Sequence, residues 1–205
     1  MEVTFFRHGI AVDRGDPLAP VDFERPLTLD GKNRTESAAR GLRALGVRPA
    51  LILTSPFKRC VQTARLLAQA LGVAKKSLRE IDSLAPHADP HTLWPELALV
   101  ERESILCVGH GGAIEPAVGL ALGLIAAEPD NPDNPDNDDD DQATTLTSTL
   151  SHGSAPLDPL FDGAFRTLHL KKSGALQLEV RFDPVVSARL SWLVSPKILR
   201  QLGRI

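Results

Sequence analysis

The chain has 205 residues, 42% hydrophobic and 24% charged, with a formal net charge of −3, the profile of one ordinary globular domain long enough to bury a core. Two cysteines are too few for a disulfide framework, and no apolar stretch is long enough to cross a bilayer. The expected setting is the reduced cytoplasm, with no membrane partner.

VTFF, residues 3–6, reads as a short, fully buried strand, and it ends at once in Arg7, His8 and Gly9. Residues 28–45 follow with apolar or small positions at Ala38, Ala39, Leu42 and Leu45, a helical pattern. ALILT is a second buried strand. Ser55 then stands as an N-cap and Pro56 at the first helical position of SPFKRCVQTARLLAQAL, which carries Arg59 in its first turn.

The stretch REIDSLAPHADPHTLWPEL contains the acidic residues Glu80, Asp82 and Asp89. His87 and His91 lie four apart there, but Pro86 and Pro90 argue against a helix, so both are read as solvated loop histidines and not as a metal pair. SILCVG is a third strand, ending in His110. AIEPAVGLALGLIA follows as a helix apolar on most sides, with Pro116 near its start.

A low-complexity acidic loop runs from about residue 128 to 142. Eight of the 26 acidic residues fall there, so across the rest of the chain the 23 lysines and arginines are in excess. A mildly basic body suits an anionic ligand. The excess is too small to indicate nucleic acid, and no aromatics are interleaved to stack bases. FRTLHLKKSGALQLEVRF, residues 165–182, reads as a hairpin around KKSG, and LSWLVSPKILRQLG as a short amphipathic tail anchored by Trp192.

Strands alternating with helices predict an α/β three-layer sandwich, one domain over residues 1–205, with a mostly parallel central sheet and helices on both faces. In such sheets ligands bind beyond the carboxyl ends of the strands. Arg7, His8, Arg59 and His110 all follow predicted strands and could share that rim. Two guanidiniums match the oxygens of a phosphoryl group. A neutral imidazole is a competent nucleophile toward phosphorus, and a second, protonated histidine can stabilise charge on the equatorial oxygens. Such a set performs phosphoryl transfer without a metal.

VTFFRHGIA, ERPLTLDGKNR, ILTSPFKRCVQTA and ILCVGHGGA resemble the histidine phosphatase superfamily, also called phosphoglycerate-mutase-like, and within it the small SixA-type phosphohistidine phosphatases. The LAP turn at residues 84–86 and the Trp followed by Ser-Pro near the C-terminus fit the same pattern. The resemblance implies that His8 is the nucleophile, that Arg7 and Arg59 clamp the phosphoryl group, that His110 completes the site, and that no cofactor is required. Arg25 would lie near the site or serve structurally, pairing with Glu24 or capping the following helix; Ser55 could donate to phosphate.

Mutases and monoester phosphatases of the superfamily use an acidic side chain to protonate the leaving group. Glu80, Asp82 and Asp89 are the candidates here, none in an unmistakable family position. The compact stretch between Gln62 and Ser104 implies an open site. The expected substrate is therefore phosphohistidine on a protein, the partner being a phosphorylated protein and the chain a monomer. Two alternatives remain, a small phosphorylated substrate and a non-catalytic phosphoprotein-binding module. For the acidic loop three readings stand: a tolerated surface insertion, a loose Ca²⁺ ligand set, or a pseudo-substrate anion over the basic rim.

Overall fold

A computed structural model describes residues 1–17, 19–124, 168–183 and 185–204; the acidic loop lies outside them. In chain order the elements are β1 (Glu2–Arg7), α1 (Leu29–Ala44), β2 (Leu51–Thr54), α2 (Lys58–Leu71), β3 (Leu78–Glu80), α3 (Pro90–Ala98), β4 (Ser104–Gly109), α4 (Gly111–Ala121), β5 (Ala175–Phe182), β6 (Val186–Val194) and α5 (Pro196–Leu202). A short 3₁₀ turn, Asp22–Glu24, precedes α1.

The strands form one mixed six-stranded sheet in the order β3-β2-β4-β1-β5-β6. β1 to β4 run parallel, while β5 pairs antiparallel with both β1 and β6. Because the pleat sends successive side chains to opposite faces, β1 places Phe5 in one core and Phe6 in the other. β4 divides Ile105 and Cys107 from Leu106 and Val108 in the same way. One face is covered by α3 and α4, with Trp94 donating from its indole nitrogen to the Ala117 carbonyl at 2.7 Å. The other is covered by α1, α2 and α5. Burial on both sides is why the parallel strands read as unbroken apolar runs.

α1 crosses directly over the end of β1. Thr28 caps it by accepting from the Gly31 amide at 2.9 Å, and a side chain at Gly31 would collide with the Ile10 carbonyl. The glycine lets the helix approach the chain two residues beyond His8.

Four local expectations are corrected. First, α2 begins at Lys58 with Phe57 as N-cap. The Ser55 hydroxyl lies 3.1 Å from His110 Nε2 and also accepts the Phe57 amide at 3.4 Å, so it serves the site and the approach to the helix while Phe57 takes the N-cap position. Second, Pro90 opens α3 instead of forbidding a helix. It sits at the first position, where a missing N–H costs nothing, and Asp89 accepts from the His91 amide at 2.8 Å. His91 is thus helical, and His87 lies in the loop before it.

Third, KKSG is a turn that feeds β5, but residues 168–170 form no strand, and the hairpin partner of β5 is β6. Fourth, the tail divides: Leu190–Val194 complete β6 with Trp192 half-buried against the α1–α2–α5 side, and Ser195 caps the separate helix α5. Among the described residues no helix is long and apolar enough to cross a membrane.

Candidate active site

β2, β4 and β1 are adjacent in the sheet, so their carboxyl ends bring Ser55, His110 and Arg7-His8 to one rim. Arg59 arrives from the first turn of α2. The rings of His8 and His110 lie 4.9 Å apart in an edge-on arrangement, both almost fully buried. Of the residues expected at the site, these four and Ser55 come together.

Hydrogen bonds define the proton on each ring. His8 Nδ1 is 2.7 Å from the Gly9 carbonyl, which can only accept; Nδ1 carries the hydrogen and Nε2 keeps its lone pair. Arg59 Nη2 lies 3.3 Å from His110 Nδ1 and can only donate. His110 therefore holds its hydrogen on Nε2, facing the Ser55 hydroxyl and, at 3.3 Å, the Cys60 sulfur. Burial pulls both histidines well below their ordinary value, and the field of the arginines adds to it: for His8, after burial, His110, Arg59 and Arg7; for His110, Arg59, Arg7, His87 and Arg25. The free site thus holds His110 neutral near neutral pH. Burial pushes the Cys60 thiol up to about 12, which makes it a poor thiolate nucleophile despite its position.

This has a consequence for stability. The folded histidines protonate at lower pH than the unfolded ones, whose ordinary value is 6.5. Their contribution is fully present above that value and is lost as pH falls toward the folded values, because the unfolded chain then binds more protons. His169, lowered first by burial and then by Arg7 and Lys171, acts in the same direction. Denaturant midpoints should fall between about pH 7 and about pH 5, and replacing His8 with Gln should flatten the slope. A midpoint that is constant across this range would contradict the assignment.

Arg59 is held from the 3₁₀ turn. Its Nη1 donates to the Asp22 carbonyl at 2.9 Å and Nη2 to Asp22 Oδ2 at 3.1 Å. Asp22 also accepts from Arg25 Nη1 at 2.6 Å. Burial pushes the Asp22 carboxyl up, but the guanidiniums of Arg25 and Arg59 outweigh it and leave it below the usual range. Arg25 is buried and bound to Asp22 and to the Val12 carbonyl at 2.8 Å. Glu24 pairs instead with Lys58 at 3.2 Å, and Thr28 caps α1 itself, so neither structural partner expected for Arg25 is the one used.

Arg7 is braced from the opposite side. Its Nη1 donates to the Leu170 carbonyl at 3.0 Å, and the Leu170 amide donates to Glu115 Oε1 at 2.7 Å. Glu115 is fully buried in α4. A Cβ on Gly111 would stand 3.2 Å from the Arg7 guanidinium carbon and 3.3 Å from Glu115 Oε1, so a side chain there would crowd both groups. Arg7 Nε is buried with no hydrogen-bond partner among the described residues.

The three candidate acids are not brought to the histidines. Glu80 ends β3, Asp82 opens a second 3₁₀ turn, and Asp89 caps α3; all three are exposed. Among the described residues none is hydrogen-bonded or ion-paired to Arg7, His8, Arg59 or His110. The sequence reading missed Asp22, Glu115 and Phe57. Glu115 had a signal: it is the only charged residue in α4, whose other positions are apolar, glycine or proline. Asp22, three residues before Arg25, had a weaker one.

Residues 3–85 match the family described as histidine phosphatase superfamily (branch 1). An uncharacterised protein of Picosynechococcus sp. is 51% identical over 117 residues, which cover 54% of this chain and 66% of that relative, short of two thirds of its length. Among solved structures, the protein histidine phosphatase SixA complexed with tungstate aligns with a TM-score of 0.66 and 21% identity, covering 97% of this chain and 99% of SixA. A mycobacterial glucosyl-3-phosphoglycerate phosphatase with inorganic phosphate aligns with a TM-score of 0.56 and 18% identity, over 96% and 98% of the two chains. Sequence match and fold point the same way: residues 3–85 are similar to the histidine phosphatase superfamily, and the chain has the fold of SixA.

Proposed function

We propose that this protein is a metal-independent phosphatase that works through a covalent phosphohistidine on His8 and acts on phosphohistidine carried by a protein. The observation that carries the reading is the state of His8: Nδ1–H is tied to the Gly9 carbonyl at 2.7 Å, leaving the Nε2 lone pair free, with His110 alongside and in the field of the Arg59 and Arg7 guanidiniums. Nε2 attacks phosphorus in line on a substrate ring that is protonated at its other nitrogen; the bond from phosphorus to the ring nitrogen breaks, and its electron pair returns to that ring, which leaves as neutral imidazole. Water then attacks phosphorus on His8, releasing phosphate and restoring the imidazole. Arg7 and Arg59 hold the equatorial oxygens. A phosphoryl dianion beside His110 opposes the arginine field and favours its protonated form.

The exposure of the three candidate acids supports this substrate class. A sugar alkoxide needs a proton donor, typically worth ~10²–10⁴ in rate, and Glu80, Asp82 and Asp89 are all exposed and unconnected to the histidines. A phosphorylated imidazole protonated on its other nitrogen departs as a neutral ring and needs no such acid. The test is hydrolysis, in the presence of a chelator, of a phosphohistidine peptide, p-nitrophenyl phosphate and a sugar phosphate. The peptide should be turned over fastest. Faster turnover of the sugar phosphate would overturn the substrate class, and full dependence on an added metal would overturn the mechanism.

A further inference from the structure

We propose that Val21, Phe23 and Phe57 form a ledge that receives a flat ring on the leaving-group side of the phosphoryl site. The inference rests on the phosphatase reading and narrows its substrate to compounds whose phosphoryl group is attached to an aromatic or heteroaromatic ring. Four rings stand in a row from solvent to the nucleophile. Phe23 and Phe57 are 5.0 Å apart, Phe57 and His110 5.2 Å, and His110 and His8 4.9 Å.

The outer end of the row is open. Phe23 is 42% exposed and Val21 57%, although both lie beside a buried charged site. The ledge is also held in place. The 3₁₀ turn that carries Phe23 is pinned through Asp22 to Arg25 and Arg59 and through Glu24 to Lys58. Arg59 stands 5.0 Å over the Phe57 ring, so the guanidinium expected to hold phosphate and the ring expected to meet the leaving group are fixed to each other.

The chemistry of the ledge selects. Its three side chains carry no hydrogen-bonding atom, and the neighbouring Glu24 carboxylate is engaged by Lys58. A polyhydroxylated leaving group laid there would lose hydration without replacement, whereas a ring gains apolar contact and edge or face packing.

Phosphonates test this without turnover. In calorimetric titrations, phenylphosphonate should bind wild-type protein about tenfold more tightly than methylphosphonate, and in Phe23→Ser that ratio should shrink to about twofold. Phe23→Tyr should keep most of it. Equal affinities in the wild type, or an unchanged ratio in Phe23→Ser, would remove the ledge. Wild-type protein that discriminates between the phosphonates but does not hydrolyse phosphohistidine peptide would keep the ledge and overturn the substrate assignment instead.

Discussion

His8→Ala should lower turnover roughly 10⁴-fold or more, as expected when the group that forms the covalent intermediate is removed. Oxyanion affinity should change by less than about tenfold, or about 1.4 kcal/mol. The division follows from geometry. His8 supplies a lone pair at Nε2 but no charge, since burial and the nearby arginines keep it neutral. Arg7 and Arg59 supply the charge, and each is braced by partners that do not include His8: Arg59 by Asp22, Arg7 by Leu170. Tungstate or phosphate titration of the variant measures the second half directly. A variant with substantial residual turnover would show that another group attacks phosphorus. Loss of oxyanion binding with the fold intact would show that the imidazole itself holds the anion.

Glu115→Ala should destabilise the protein by about 3 kcal/mol, a sum of an orphaned buried amide and the space left behind. For a chain of this size that corresponds to a fall in Tm of about 6–12 °C. The carboxyl is fully buried and receives the Leu170 amide, while the carbonyl of the same residue receives Arg7. Removing it loosens residues 168–170 and, through them, the guanidinium, so KM should rise as well. Glu115→Gln keeps an oxygen for the Leu170 amide and should recover more than half of the stability. If the glutamine variant is as unstable as the alanine variant, the charge and not the hydrogen bond is what the buried carboxyl provides. Thermal melts of the two variants separate these outcomes.

The placement of the candidate site was legible in the sequence because of how a covered parallel sheet is written. Strands buried on both faces appear as short apolar runs, so Arg7, His8 and His110 stood out as the polar residues that end them. The four motifs lie within about the first half of the chain and are read locally. Arg25 was legible as a residue near the site but not in its partner, because Glu24 is adjacent in sequence while Asp22 is the carboxylate the folded turn presents.

What the sequence by itself determined was the layered α/β architecture, the three central strands, and the candidate residues Arg7, His8 and His110 at their carboxyl ends with Arg59 in the following helix, all of which depend on local apolar patterning. Only the tertiary structure decided where α2 starts, which strand pairs with β5, and how the arginines are braced. Ser55 shares its hydroxyl between the Phe57 amide and a histidine 55 residues away. β5 joins β1 and β6 and does not fold back on the residues before it. Arg7 depends on Leu170 and Glu115. In each a distant hydrogen bond joins or replaces a local one, and the distant partner exists only after the sheet has brought the strand ends together.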